Sequence, residues 1–218
     1  MNYTNMEVID SDIMDKVFDL TKNFDSSRYT DKDILNALNK DKLNIHDLGA
    51  LLSPNALKFL NIAASKAKYE TKKHFGSCIS LFTPLYISNY CENHCTYCGF
   101  NCKNKINRAK LSIEEIESEY KSIAKTGLEE ILILTGESRS KSNPEYISKA
   151  VKLASKYFST VGVEIYPLNT DEYKLLQNAG ADFVSVYQET YNTQKYKELH
   201  LSGRNPFSIT VFMPRNAL

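Results

Sequence analysis

Three cysteines stand close together in the stretch CENHCTYC, at Cys91, Cys95 and Cys98. Thiolates are ligands for soft metal ions and for iron–sulfur clusters. The chain of 218 residues contains only five cysteines, so this clustering predicts a loop that binds a metal or a cluster. The odd cysteine count, and the lack of a secretion signal in the first residues, favour a reducing compartment, and we expect a cytoplasmic protein.

The residues alone leave four interpretations of this loop open. The thiols could be buried as small apolar groups, although Glu92, Asn93 and His94 make the loop polar. They could bind zinc with His94 or Cys102 as a fourth ligand, but the sequence offers no second pair of ligands. They could hold a ferredoxin-type cluster with Cys102 as the fourth thiolate. Three thiolates could also hold a [4Fe–4S] cluster with one iron open to another ligand, as radical chemistry with S-adenosylmethionine requires.

The elements that must position this loop alternate between apolar strands and helices. We predict a helical segment over residues 1–76 and a domain that carries the site over residues 77–218. In the latter, strands are predicted over 78–88, 130–137, 160–168 and 182–191, each followed by a helix or loop and helix, with a possible fifth strand over 206–214. Such alternation is typical of parallel βα units with right-handed crossovers. The fold class is therefore α/β, either a barrel or an open sheet.

Capping signals mark several helix ends. Thr30, Ser53 and Ser112 are predicted N-terminal caps, the last of them in a capping box with Glu115. Asn143-Pro144 is expected to open a later helix. Gly76, Gly127 and Gly180 are predicted to end helices.

Polar residues gather where the predicted strands end. Thr135, Gly136 and Glu137 follow the second strand, Glu164 lies late in the third, and Gln188-Glu189 follow the fourth. Function in parallel α/β folds sits at the carboxyl ends of the strands. Each group could merely cap a strand or helix, but their concentration favours one shared site with the cysteine loop.

The charge pattern argues against some partners. The formal net charge is +1, and no stretch of the sequence approaches eighteen consecutive apolar residues. We therefore expect neither a nucleic-acid partner nor a membrane partner.

CENHCTYC, with an aromatic residue before its last cysteine, resembles the signature loop of radical S-adenosylmethionine enzymes. LTGE at the end of the second strand resembles the Gly-Glu motif of that superfamily. The resemblance implies a [4Fe–4S] cluster on Cys91, Cys95 and Cys98, and S-adenosylmethionine against Tyr97. It further implies cofactor contacts from Thr135, Gly136, Glu137 and Glu164, within a partial (β/α) TIM-type barrel of four to five βα units preceded by a helical segment.

Longer segments, among them LFTPLYISNYC, CGFNCKNKINRAKLSIEEI and VYQETYNTQKYKELHLSGR, resemble the 2-iminoacetate synthase family of thiamine biosynthesis over residues 30–204. This resemblance implies that a 5′-deoxyadenosyl radical takes hydrogen from the amino group of L-tyrosine, and that the Cα–Cβ bond then breaks to give 2-iminoacetate and p-cresol. It implies Gln188 and Glu189 as substrate contacts, thiazole synthase as a partner, and a reductant such as flavodoxin or ferredoxin.

Three alternatives remain at this point. The related hydrogenase-maturation tyrosine lyases share PLYISNYC and QETY, although the Thr-Gly-Glu motif and the short KYFSTVGVE link favour the thiamine branch. A non-catalytic iron–sulfur protein, or an inactive fragment, would also carry the cysteine loop. We expect a chain that ends before the second half of the barrel, because only four to five βα units are predicted where a complete barrel has eight.

Overall fold

A computed structural model describes residues 12–187 and 189–202 of the chain. The chain divides into two compact units, Ser11–Ile79 and a larger unit that begins at Ser80. The predicted fifth strand over 206–214 lies outside the described residues.

The smaller unit is helical. Its α-helices are α1 (Ile13–Lys22), α2 (Asp31–Asn39), α3 (Ile45–Leu51) and α4 (Leu60–Phe75), with short 3-10 helices at Ser26–Arg28 and Pro54–Phe59. A small core joins Tyr29, Ile34, Leu38 and Ala50. The smaller unit therefore has a hydrophobic cluster of its own.

Of the two N-terminal caps predicted in this unit, one is confirmed and one is wrong. Thr30 caps α2 in a reciprocal capping box with Asp33, as predicted. Ser53 does not cap a helix, because its hydroxyl donates to the carbonyl of Ala50 at 2.7 Å. The chain from Pro54 first forms the 3-10 helix, and α4 begins only at Leu60.

The larger unit alternates strands and helices. It contains β1 (Phe82–Ser88), α5 (Ile113–Ala124), β2 (Glu130–Thr135), α6 (Pro144–Ala154), β3 (Thr160–Glu164), α7 (Thr170–Ala179), β4 (Phe183–Ser185) and α8 (Thr193–Leu199). The four strands are parallel and lie in the order β1-β2-β3-β4, so consecutive strands are neighbours. This is the predicted series of βα units, and over the described residues the sheet is open rather than closed.

Local sequence signals set the ends of these helices. Ser112 and Glu115 form the predicted capping box of α5, and Asn143 accepts the Tyr146 N–H at the start of α6. Gly180 ends α7 with φ of 109°, a conformation that favours glycine. The predictions for Ser112, Asn143 and Gly180 are therefore confirmed, whereas α5 ends with Lys125 as its C-cap and Gly127, with φ of 85°, follows two residues later.

The helices cover one face of the sheet. Ile131 and Ile133 of β2 and Val161 and Val163 of β3 are almost completely buried there. They pack in one cluster with side chains from α5, α6 and α7, among them Ile116, Tyr120, Ile147, Val151 and Leu176. The other face of the sheet is left to form the wall of a cavity.

β1 is less buried than predicted. Phe82 and Tyr86 are 53% and 49% exposed, because they lie on the face of the sheet that the helices leave uncovered. β1 is also an edge strand of the described sheet and pairs only with β2. Pro84, which has no N–H to donate, suits such an edge. The strands are also shorter than predicted, and β4 has only three residues.

None of the helices described is long and apolar enough to span a bilayer.

Candidate cofactor-binding site

A cavity of about 540 Å³ lies at the carboxyl ends of the strands. Its lining includes the three clustered cysteines, the end of β2, the end of β3 and the chain around α8, namely Cys91, Cys95, Cys98, Thr135, Gly136, Glu137, Glu164, Glu189 and His200. The shared site predicted from the strand ends is therefore a single cavity in the structure.

Strand register explains why one face of the sheet reaches this cavity. Tyr86 is paired with Leu134, and Leu134 with Glu164, so these residues form a row across three neighbouring strands. All three line the cavity. Side chains alternate between the two faces of a strand, so the residues just before these three, Leu85, Ile133 and Val163, point to the opposite face, which the helices cover.

The three clustered thiols are half-buried and face the cavity. Burial raises the pKa of the Cys91 thiol. Burial, followed by the neighbouring Cys91 and Cys98, raises the pKa of Cys95 to about 11. At neutral pH Cys95 therefore keeps its proton, and binding of a metal or cluster would release protons from this loop.

Hydrogen bonds within the loop fix its backbone. The Cys98 N–H donates to the Cys95 carbonyl at 3.3 Å, and the Asn101 side chain donates to the same carbonyl at 2.7 Å. The Asn104 side chain donates to the Cys98 carbonyl at 3.2 Å. The turn after the last cysteine thus folds back onto the cysteines themselves.

Arg108 ties the two ends of the loop together. Its guanidinium donates to the carbonyl of Asn89, before the first cysteine, at 2.7 Å. It also donates to the carbonyls of Phe100 and Asn101, after the last cysteine, at 2.9 and 2.7 Å. A planar guanidinium with several N–H groups suits this role better than a lysine would.

The end of β2 is joined to the cysteine loop. The Gly136 N–H donates to the Ser88 carbonyl at 2.9 Å, and a Cβ at Gly136 would lie 2.3 Å from the Tyr90 carbonyl oxygen. Asn93, which is buried, donates to the Glu137 carboxylate at 2.5 Å. Position 136 therefore requires glycine, because its backbone lies so close to the backbone of Tyr90.

One buried polar atom in the cavity has no hydrogen-bond partner among the described residues. This is the Thr135 hydroxyl oxygen, at the end of β2. An unsatisfied buried hydroxyl is costly unless a bound molecule supplies its partner. Together with three thiols, it gives the cavity a donor set that fits an iron–sulfur cluster with a polar cofactor beside it.

Two carboxylates face the other part of the cavity. Glu164 and Glu189 both line it, and Gln188 lies outside the described residues. Burial, and then repulsion from Glu189, raises the pKa of Glu164. This pair of carboxylates favours a cationic group between them, since a cation would relieve their repulsion.

Tyr97 lines the cavity next to the cysteines. Its ring is 51% exposed, and its hydroxyl lies 2.7 Å from Nε2 of His200. Burial of part of the ring, followed by repulsion from Cys95, raises the pKa of this phenol.

The alternative metal ligands do not join the three cysteines. Cys102 is exposed, and both Cys102 and His94 lie outside the cavity lining. Over residues 12–187 and 189–202, no three histidine, cysteine or acidic side chains lie close enough together to hold one metal ion. A cubane differs from such a site, because each thiolate binds a different iron.

Sequence reasoning missed several residues that shape the site. These are Asn93, Arg108 and His200, which act through contacts with the cysteine loop or with Glu137. The local sequence around each of them does not indicate such a contact. His200 lies in HLSGR, within one of the segments that resemble the 2-iminoacetate synthase family, but the sequence alone gave this residue no role.

Comparison with known proteins agrees with this geometry. The model of the radical SAM superfamily matches residues 85–208, which is more than half of the chain, and the chain belongs to that superfamily. The chain is 40% identical over 175 residues to 2-iminoacetate synthase of Salmonella typhimurium, covering 80% of this chain and 46% of the relative. It is 32% identical to 3-methylornithine synthase of Methanosarcina barkeri, covering 73% and 46%.

A solved structure shares the fold. The crystal structure of HydG, a maturase of the [FeFe]-hydrogenase, superposes with a TM-score of 0.81 at 27% identity, covering 92% of this chain and 47% of that one. The chain thus spans about half the length of the relatives it matches. The α/β fold class predicted from the βα series, and the partial TIM-type barrel implied by the resemblance, are confirmed at the level of fold class.

The predicted cofactors are those of the family. Radical SAM proteins use a [4Fe–4S] cluster and S-adenosylmethionine. The assignment of individual side chains to the two cofactors stays a prediction.

Proposed function

We propose that this chain supplies the cofactor-binding half of a radical SAM lyase of the 2-iminoacetate synthase type. In this proposal the substrate is L-tyrosine and the products are 2-iminoacetate and p-cresol. The observation that carries the proposal is the convergence of three thiols and the Gly-Glu motif on one cavity. The 40% identity to a 2-iminoacetate synthase supports the choice of reaction.

In this proposal, Cys91, Cys95 and Cys98 hold the cluster, and the Thr135 hydroxyl and the end of β2 receive the polar part of S-adenosylmethionine. When bound, these groups supply one-electron chemistry that generates an organic radical. The Asn93 amide holds the Glu137 carboxylate against the loop, so that the carboxylate is already oriented when a cation arrives. Tyr97 covers the cluster side of the cavity.

The proposed substrate end lies between Glu164 and Glu189. A carboxylate there can accept hydrogen bonds from the ammonium of an amino acid, and the pKa of Glu164, which burial and then repulsion from Glu189 raise, supports a cationic group at this place. Gln188 is proposed as a further substrate contact. Thiazole synthase, as the protein that receives the imine, and a cytoplasmic setting belong to the same proposal.

A hydrogenase-maturation reaction is the second candidate. The likeness to HydG in fold, with a TM-score of 0.81, favours it, but the identity of 27% is lower than the 40% to 2-iminoacetate synthase. The two candidates share the cluster, and they differ in the fate of the product.

The first test is anaerobic reconstitution with iron and sulfide, followed by electron paramagnetic resonance of the reduced protein with and without S-adenosylmethionine. We expect a [4Fe–4S] signal that changes when the cofactor is added, because one iron is open to it. A signal that the cofactor leaves unchanged would indicate a fully ligated cluster, as in an electron-transfer protein, and would contradict the proposal.

The second test supplies L-tyrosine to the reconstituted protein and measures p-cresol. Formation of p-cresol supports tyrosine cleavage, and glyoxylate from hydrolysis of the imine would accompany it. An intact cofactor-responsive cluster without p-cresol would limit the proposal to cofactor binding by this chain.

A further inference from the structure

The chain after α8 pairs with the cysteine loop. The His94 N–H donates to the Ser202 carbonyl at 2.7 Å, and the Leu201 N–H donates to the His94 carbonyl at 3.0 Å. The Thr96 N–H donates to the Leu199 carbonyl at 2.9 Å. Cys95 therefore lies in a short antiparallel bridge with His200, although 105 positions separate them in the sequence.

A side-chain bond reinforces this pairing. The Tyr97 hydroxyl lies 2.7 Å from Nε2 of His200, and the two rings meet edge to face with centroids 5.5 Å apart. The other ring nitrogen of His200, Nδ1, lies 2.9 Å from the Tyr196 carbonyl oxygen. Both nitrogens of the imidazole are therefore engaged.

The carbonyl fixes the roles of these groups. A carbonyl oxygen can only accept, so Nδ1 of His200 carries the hydrogen that it donates to Tyr196. In the neutral imidazole Nε2 is then the acceptor, and the Tyr97 hydroxyl donates to it. The Tyr97 hydroxyl therefore donates to a ring nitrogen whose orientation is fixed by the bond from His200 to the Tyr196 carbonyl in α8.

The His200 ring is itself held in place. It stacks on the Tyr196 ring at a centroid distance of 4.0 Å and an angle of 19° between the planes. Tyr196 is 5% exposed, so it is anchored in α8. A rigid support of this kind is what a positioning side chain requires, because its own rotamer must be locked by packing.

We propose that His200 is a positioning residue of the cysteine loop, which holds Tyr97 and, through residues 199–202, the backbone around Cys95 in the shape that accepts the cluster. The proposal goes beyond the reaction, since it concerns the loop before any cofactor binds. Whichever substrate the protein acts on, α8 and the residues after it complete the cluster loop from the far end of the described chain.

The test measures amide hydrogen exchange in the 218-residue apoprotein, at His94, Thr96 and Leu201. We compare the wild type with His200→Ala, His200→Gln and Tyr97→Phe. Loss of the hydrogen bond between Tyr97 and His200, in His200→Ala or in Tyr97→Phe, is expected to speed exchange at these amides by about fivefold. This is the effect of losing one hydrogen bond of ordinary strength. His200→Gln, whose amide reaches the position of Nε2, is expected to stay close to the wild type.

A matched control is His74→Ala, which removes an exposed histidine from α4 in the smaller unit. The amides of Ile131 and Ile133 in β2 report on the global fold. If His200→Ala also speeds exchange in β2, Tyr97→Phe carries the test, because it removes one oxygen from a half-exposed ring and preserves the rest.

Equal increases for His200→Ala and Tyr97→Phe, with recovery in His200→Gln, would support the proposal. Unchanged exchange in Tyr97→Phe would overturn it, because the bond between the two side chains would then hold nothing in place. Both results are read in the apoprotein, so they stand whether or not the chain cleaves tyrosine. After reconstitution, iron bound per chain is expected to fall in His200→Ala and Tyr97→Phe and to stay close to the wild-type level in His200→Gln.

Discussion

At the scale of single residues, the site distinguishes cysteines that are otherwise alike in type. Cys91, Cys95 and Cys98 face the cavity, whereas Cys102 is exposed and outside its lining, although its N–H donates to the Asn93 carbonyl at 2.9 Å. The fifth cysteine, Cys78, is also exposed. Side-chain direction, rather than proximity in the sequence, therefore selects the candidate ligands.

This distinction gives the first prediction. In Cys98→Ser, iron and sulfide bound after reconstitution are expected to fall at least about tenfold, because a hydroxyl is a poor ligand for this cluster. In Cys102→Ser they are expected to stay at the wild-type level. Iron and sulfide analysis with the visible absorbance of the reconstituted proteins measures both, and loss of the cluster in Cys102→Ser would instead indicate a fully ligated, ferredoxin-type site.

Gly136 gives a second prediction at this scale. A Cβ on Gly136 would lie 2.3 Å from the Tyr90 carbonyl oxygen, so Gly136→Ala must push apart the end of β2 and the start of the cysteine loop. The expected loss of stability is about 1–3 kcal/mol, as for other overpacked sites. Urea unfolding of the apoprotein measures it.

Gly99→Ala is the matched control for this variant. A Cβ on Gly99 would meet no atom within 4 Å, and its φ is not in the left-handed region. The control should unfold close to the wild-type midpoint. Equal destabilisation of the two variants would show that any alanine in the loop is harmful and that the close approach at Gly136 is not the cause.

At the scale of elements, a partly buried ion pair joins the segment after β2 to α7. Arg139 donates to both carboxylate oxygens of Glu172, at 2.5 and 2.8 Å, and the two side chains are only 23% and 19% exposed. Glu172 also accepts from the Asn169 N–H at 2.8 Å. The pair fixes the residues that follow the Gly-Glu motif to the next βα unit.

The pH dependence of this pair follows from the pKa of Glu172. Burial acts to raise this pKa, but the bonds from Arg139 and from the Asn169 N–H outweigh burial, and the net pKa is lowered. The pair therefore stabilises the fold above the unfolded pKa of about 4.3. This contribution is lost as the pH falls from there through the lowered pKa of the folded protein.

Glu172→Gln tests this coupling. At pH 7 the variant is expected to be about 1–3 kcal/mol less stable than the wild type, because a partly buried guanidinium loses its counter-charge. The difference should shrink as the pH falls below about 4. Unfolding by urea at a series of pH values measures it, and a difference that is independent of pH would show that charge has no part in the effect.

The extent to which sequence predicts these elements depends on the range of the forces involved. The capping box of Ser112 and Glu115 was predictable because it spans three residues. The clustered cysteines of CENHCTYC indicated a loop that binds a metal or a cluster, and the resemblance of the motif, rather than its spacing alone, implied Cys91, Cys95 and Cys98 as the ligands. The length of β4 and the exposure of β1 were not predictable, because both depend on which elements pair with or cover each strand in the folded chain. The bond from Tyr97 to His200 joins residues 103 positions apart, and no local pattern signals such a pair.

At the scale of the whole molecule, a net charge of +1 conceals a local excess of positive charge beside the cysteine loop. Residues 101–111 contain Lys103, Lys105, Arg108 and Lys110 and no acidic residue. Lys103 and Lys105 are exposed. Because the Asn104 side chain donates to the carbonyls of Cys98 and Gly99, this turn is attached directly to the candidate cluster loop.

A basic surface next to a redox centre suits an acidic electron donor, since charge complementarity mainly accelerates association. We therefore expect the double charge reversal Lys103→Glu/Lys105→Glu to slow reduction of the reconstituted cluster by an acidic flavodoxin by about tenfold at low salt. The difference should diminish near physiological ionic strength, where the screening length is about 8 Å. Stopped-flow absorbance measures the rate.

Two controls separate docking from damage to the cluster. Reduction by dithionite, a small reductant that needs no protein interface, should proceed at the wild-type rate in the charge-reversed protein. Lys149→Glu/Lys152→Glu makes the same change in net charge on exposed positions of α6, which packs on the helical side of the sheet. If both double variants slowed reduction by flavodoxin equally, the donor would respond to the net charge of the molecule rather than to the turn beside the cluster loop.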